Sequence, residues 1–170
     1  MRTLLILLVG LTVNVYGQNT IIGNYPLTGN ANDVSNNGNN GIINGAKLTT
    51  DRFGNDSSAY LFDGVDDYID LGTNYNLTSH SFVGWFKLNN YPVVPSYKAA
   101  IVSKLNNDSQ EFKNYEIAIV NDKTIEVVIA TGSTWDAILT TDTVIDNKWS
   151  FISYTYNDAT NKSRLYLNSI

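Results

Sequence analysis

The chain has no cysteine. Disulfides, thiolate nucleophiles and cysteine-ligated metal centres are therefore excluded together. Histidine occurs once, as His80, so no pair of imidazoles can hold a transition metal. Glutamate is nearly as scarce, with Glu111, Glu116 and Glu126 the full set. Lysine and arginine number 11 against 16 acids, for a formal net charge of −5. That balance argues against nucleic acid or an anionic membrane surface as partner. No glycine-rich phosphate loop opens a helical pattern, and no stretch after residue 17 keeps helical period over three turns. A chain of 170 residues without disulfides is long enough for one domain with its own core.

Long apolar runs are also lacking, with one exception. Leu4 to Val13 is apolar, follows the positive Arg2, and leads into Val15-Tyr16-Gly17 before Gln18. A charged start, a short apolar stretch and small residues at a cleavage position are the marks of an export leader. The stretch is too short for an ordinary transmembrane helix. Residues 1–17 are thus expected to be a signal peptide and residues 18–170 the domain, in a protein that is secreted or held at the cell surface. No cysteine follows the cleavage position, so a lipid anchor there is not expected.

Two residue classes are plentiful. There are 23 asparagines, and 11 Tyr, 6 Phe and 3 Trp. Asparagine suits tight turns and left-handed backbone, while aromatic residues suit strands. Ile21 to Leu27 reads as a first strand, edged by Pro26. Residues 28–41 carry turn formers at almost every position, which fits either a low-complexity linker or an ordered loop. The apolar Ile42-Ile43 that follows favours the ordered loop. Tyr60-Leu61-Phe62 and Tyr68-Ile69-Asp70-Leu71 flank Asp63-Gly64-Val65-Asp66-Asp67, a hairpin signal loaded with carboxylates. Ser81 to Leu88 alternates, with Phe82, Gly84, Phe86 and Leu88 on one face and Val83, Trp85 and Lys87 on the other. Ala99 to Ser103, Tyr115 to Ile119 and Ile125 to Ile129 read as strands, the last two joined by a turn at Asn121-Asp122-Lys123. Trp135 to Leu139 is a weaker strand, and Trp149 to Tyr156 and Arg164 to Leu167 are strong ones around Asn157 to Asn161. Many short strands between turns predict an all-β antiparallel sandwich.

Four of these stretches together resemble a known family. Tyr25-Pro26-Leu27-Thr28-Gly29-Asn30-Ala31-Asn32-Asp33 with Gly38-Asn39-Asn40-Gly41 is similar to the opening of LamG-like jellyroll domains of the concanavalin A-like lectin/glucanase superfamily. Asp51-Arg52-Phe53-Gly54-Asn55 followed by Ala59 to Ile69 resembles secreted members from Bacteroidetes-type bacteria. Ser81-Phe82-Val83-Gly84-Trp85-Phe86, then Trp149-Ser150-Phe151-Ile152 with Leu165-Tyr166-Leu167-Asn168, match two later strands. In that family further strands follow, and the last lies beside the first. Here the sequence ends at Asn168-Ser169-Ile170, so the resemblance implies a jellyroll missing its last strands. A shortened jellyroll that pairs with another chain is the alternative.

The resemblance implies a non-catalytic binding or adhesion module recognising glycans or another surface protein, as part of a larger chain. A glycoside hydrolase or lyase of the same superfamily, and a protein-interaction domain without sugar affinity, are the alternatives. Hydrolysis needs two facing carboxylates. Glu116 and Glu126 fall on adjacent strands but match no such motif, and solvent-face charges are the plainer reading, so no catalytic residue is expected. Calcium needs six to eight oxygens, which Asp33 with its asparagine loop, or Asp63, Asp66 and Asp67, would supply. The plainer readings are an Asx-turn for Asp33 and a turn residue for Asp63. For sugar, exposed rings with nearby polar groups are wanted. Trp135 with Asp136, in the stretch after Thr131, and Tyr91 and Tyr97 are the candidates, whereas Trp85 and Trp149 are expected in the core.

Overall fold

A computed structural model describes residues 4–7, 21–75, 78–89, 98–104, 113–131 and 134–169. Twelve strands are seen among them, and no helix. A six-stranded sheet has the order β12 (Lys162–Ser169), β11 (Trp149–Asn157), β6 (His80–Leu88), β1 (Leu4–Leu7), β4 (Ala59–Phe62) and β3 (Lys47–Thr49). A four-stranded sheet has the order β10 (Thr134–Thr143), β9 (Thr124–Thr131), β8 (Lys113–Val120) and β7 (Lys98–Lys104). A small pair, β2 (Ile42–Asn44) with β5 (Tyr68–Asp70), completes the set. Every pairing is antiparallel. The all-β jellyroll class expected from the sequence is what the chain adopts.

The two large sheets bury one face each. Strand β6 sends Phe82, Phe86 and Leu88 inward, and β11 sends Ile152, Tyr154 and Tyr156. Ile117 and Ile119 of β8 and Ile125, Val127 and Ile129 of β9 are buried in the same core. The period-2 alternation of these strands therefore translates directly into an inner apolar layer. The turn at Asn121-Asp122-Lys123 forms the expected hairpin, with Lys123 left-handed at φ 65° and its N–H donating to Val120 O at 2.8 Å. Its register sets Ile119 opposite Ile125.

Three expectations need correction. Ile21 to Leu27 is not a ladder strand: Pro26 offers no N–H, and Leu27 turns left-handed at φ 58°. Side chains from the asparagine loop serve its backbone instead. Asn37 Nδ2 donates to Ile21 O at 2.7 Å, and Asn39 Nδ2 donates to Ile22 O at 3.0 Å. The loop is thus ordered, as its apolar flank suggested. Next, Asp63 to Asp67 is not a hairpin turn. The strand before it, β4, pairs with β1 and β3, while the strand after it, β5, pairs with β2. The turn is a corner at which the chain leaves one sheet for another. Finally, Trp85 and Trp149 are only partly buried and belong to the outward face of the six-stranded sheet, not the core.

Leu4–Leu7, assigned by sequence to the leader, forms the strand between β4 and β6. Leu4 stands opposite Phe62 on one side and Leu88 on the other, and Ile6 opposite Tyr60 and Phe86. Those four partners are all buried. No helix among the described residues is long and apolar enough to cross a membrane.

Candidate functional site

The acidic corner is built by its own backbone. Asp63 Oδ1 accepts from Val65 N–H at 2.8 Å and Asp66 N–H at 3.4 Å, while Asp67 Oδ2 accepts from Asp63 N–H at 2.8 Å. These donors, chiefly Val65, hold the Asp63 carboxyl below the usual carboxylate range, with a small contribution from Lys47. Gly45, left-handed at φ 77°, lies against the Asp67 carboxylate, and a Cβ there would overlap it. One oxygen from each of Asp63, Asp66 and Asp67 lies within 4.8 Å of the others, an all-oxygen cluster of hard donors. Each carboxylate keeps lone pairs beyond those the amides use. The residues therefore fit a weakly held calcium.

Asp33 does other work. It is 9% exposed and accepts three backbone N–H groups, from Asn24 and Ser35 on Oδ1, both at 2.9 Å, and from Asn39 on Oδ2 at 3.1 Å. Burial alone would raise its pKa, but hydrogen bonds from Ser35, Asn24 and Asn39 outweigh it and lower the value. Nearby, Tyr25 donates to Asn39 O at 2.6 Å and shares a short hydrogen bond with Tyr75. The carboxylate is the hub that ties the asparagine loop to residues 22–25.

His80 sits between the sheets and is 5% exposed. The rings of Tyr115, Tyr154 and Tyr156 lie around it, with centroids 5.0, 5.7 and 5.8 Å away. Burial raises the hydroxyl pKa values of Tyr115 and Tyr154 to about 12, so both stay neutral. Its Nδ1 is 3.3 Å from Thr78 O, and its Nε2 is buried with no hydrogen-bond partner. Burial lowers the pKa of His80, so the folded chain holds it neutral. The unfolded chain takes up a proton below about pH 6.5, which makes stability full above that value and progressively smaller as pH falls. The slope is limited to about 1.4 kcal/mol per pH unit by one proton. We expect His80→Gln to flatten the midpoint of thermal unfolding between pH 5 and 7.5, and an unchanged slope would refute this role.

Glu116 and Glu126 lie on the outward side of β8 and β9. Lys98 of β7 reaches both, 3.3 Å from Glu116 Oε2 and closer still to Glu126. Burial by itself would lower the Lys98 pKa, but the two carboxylates, Glu126 first, raise it.

Among the sugar candidates, Tyr91 and Tyr97 lie outside the described residues. Thr134 to Thr143 is strand, as expected for Trp135 to Leu139, and Trp135 and Asp136 are consecutive positions on β10. The register sets Trp135 opposite Ala130 and Asp136 opposite Ile129. Asp136 is exposed, and its charge contributes to raising the pKa of Tyr156.

Sequence reasoning missed a different aromatic assembly. On the outward face of the six-stranded sheet, Trp85 and Phe151 are cross-strand partners with ring centroids 5.2 Å apart. The Arg52 guanidinium lies over the Trp85 ring at 4.3 Å and over Phe53 at 3.8 Å. Lys87 Nζ is 5.4 Å from the Trp149 ring, and Tyr166, 57% exposed, stands opposite Ser153. The signal was available, because Trp85 alternates with the core residues of its strand.

No curated protein and no solved structure matches the chain. A family model, described as Concanavalin A-like lectin/glucanases superfamily (Laminin_G_3), matches residues 63–170, more than half of the sequence. With a jellyroll framework and a match of that extent, the chain belongs to this family of the concanavalin A-like superfamily.

Proposed function

We propose that the chain is a non-catalytic, exported binding module for carbohydrate, one part of a larger secreted or cell-surface protein. The observation that carries the reading is the outward aromatic face: Trp149, Phe151 and Tyr166 stand on a rigid sheet beside hydrogen-bonding Asn168 and Ser153. Flat rings on a preorganised surface stack against sugar rings, and neighbouring polar groups select hydroxyls. The Glu116 and Glu126 carboxylates, engaged with Lys98, support a binding role rather than hydrolysis. The test is a glycan array probed with the full chain, with Trp149→Ala as control. Binding that the substitution weakens by about tenfold or more, as expected for loss of a stacking ring, supports the reading. Absence of any bound glycan would favour a protein-interaction domain, and turnover of a β-glucan lost in Glu116→Gln would favour an enzyme.

Calcium at the acidic corner would have a structural role, joining the exit of β4 to the entry of β5. A site of three carboxylates, two of them exposed, belongs with weak extracellular calcium modules, with Kd on the order of 10⁻⁴–10⁻³ M. At ten times Kd the ion would add about 1.4 kcal/mol, or about 3–6 °C in Tm. We expect that rise with millimolar calcium, its reversal by EDTA, and its absence in Asp66→Asn. A midpoint indifferent to calcium would eliminate the site.

A further inference from the structure

The acidic character of the chain is not spread evenly. The five strands β3, β4, β6, β11 and β12 contain no aspartate or glutamate at all, yet hold Lys47, Lys87, Lys162 and Arg164. By alternation and register, these four cations point outward: Lys47 stands opposite Leu61, Lys87 opposite Trp149, Lys162 opposite Asn157 and Arg164 opposite Thr155. Arg52, stacked on Trp85, adds a fifth. In a chain of net charge −5, one sheet face is both cationic and aromatic.

The acid next to Arg52 is engaged elsewhere. Asp51 precedes Arg52, but its carboxylate accepts from the N–H groups of Phe53 and Asn55, at 2.8 and 2.9 Å, and from Asn55 Nδ2. The charge of Lys47 reaches Asp63 at the corner. The Arg52 guanidinium lies over both the Phe53 and Trp85 rings, with its Nε buried and without a hydrogen-bond partner. Such an arginine is fixed in place before any ligand arrives, and its fork of N–H groups suits a carboxylate or sulfate.

Spacing decides which polyanion fits. Lys87 and Arg164 are separated by roughly 20 Å along the strands, with Arg52 between them over Trp85. Duplex DNA carries one charge about every 1.7 Å and would leave most of its phosphates unmatched here, against the negative remainder of the chain. A polysaccharide charged once every ring or two presents sparse anions separated by flat sugar faces, the same alternation of cations and rings that the sheet displays.

We propose that the outward face of the six-stranded sheet binds an anionic polysaccharide, its carboxylates or sulfates meeting Arg52, Lys87 and Arg164 and its rings stacking on Trp149 and Tyr166. This rests on the carbohydrate-binding reading and names the ligand class of that surface. The experiment is affinity electrophoresis of the full chain in four gels, containing polygalacturonate, its fully methyl-esterified form, dextran sulfate or dextran. Retardation by polygalacturonate or dextran sulfate is expected to exceed that by the matched neutral polymer at least tenfold, and to fall as salt rises from 50 to 300 mM. Which of the two polyanions is held separates carboxylate from sulfate recognition. The variants Lys87→Glu and Arg164→Glu, each checked for unchanged far-UV circular dichroism and Tm, should each lower retardation at least fivefold. Binding of neutral polymers as tight as of charged ones would overturn the inference and leave the carbohydrate reading intact. Polyanion binding unaffected by both variants would overturn the assigned face, and equal affinity for single-stranded DNA would overturn the assignment to a glycan. Loss of all binding, on these gels and on the array, would overturn both readings.

Discussion

Ile6→Pro in the full chain is expected to lower stability by on the order of 3 kcal/mol, or about 6–12 °C in Tm. Ile6 lies in the strand at the middle of the six-stranded sheet, opposite Tyr60 on one neighbour and Phe86 on the other. Proline removes its N–H and sets a ring against a ladder that has no free side. Removing residues 1–17 altogether should have the larger effect, since β4 and β6 would then face each other across an unfilled strand position; the exported module proposed above therefore keeps Leu4–Leu7 rather than losing them before Gln18. Without them, both strands would present unpaired backbone above the buried Phe62, Phe86 and Leu88. The expected outcome is loss of a cooperative unfolding transition, or association in solution by size-exclusion chromatography. If either altered chain unfolds at the parent midpoint as a monomer, the strand contributes nothing to the fold.

Asp33→Ala should be nearly as costly. The substitution strands three amides, those of Asn24, Ser35 and Asn39, in a region where Tyr25, Leu27 and Ala31 are buried. Each buried donor left without a partner costs about 1–3 kcal/mol, so a total of about 3 kcal/mol or more is expected. Asp33→Asn keeps one oxygen, and with it the Asn24 and Ser35 bonds on the Oδ1 side, so it should lose less than half as much. The carboxyl pKa is lowered in the fold, so this stabilisation is present above the unfolded pKa near 3.8 and disappears as pH falls through the folded value. Urea denaturation at pH 7 and at pH 3 measures both statements. Equal midpoints for Asp33→Ala and the parent at pH 7 would show that the amides find other partners.

How much of this was readable in advance depends on where the information lies. Strands whose inner and outer residues alternate, such as β6, β8, β9 and β11, were legible because period 2 and apolar content agree. Ile21 to Leu27 was misread because its backbone partners are the side chains of Asn37, Asn39 and Asp33, which leave no periodic trace. The Asp63–Asp67 corner was misread for a related reason. Asp-Gly between β-prone runs marks a reversal, but which strands flank it in space is set by distant pairings such as that of Leu61 with Lys47. The aromatic and cationic face lay hidden in plain alternation. Trp85 was assigned inward because it lies in a signature strand, although that strand places Phe86 inward and therefore Trp85 outward. Asp63, Asp66 and Asp67 were brought together as expected, and Asp33 stands apart from them as a loop hub.

The central position of Leu4–Leu7 also carries a consequence for timing. These residues leave the ribosome well before their partners, Tyr60 to Phe62 and Trp85 to Leu88. At ordinary rates of synthesis the apolar start of the chain waits on the order of several seconds before its place in the sheet can exist. During that wait it is open to capture by any export machinery that recognises an apolar N-terminus. Once Leu88 has paired, the same residues lie between two strands and are withdrawn from it. Folding and any such capture would then be rivals for one segment, decided by which reaches it first.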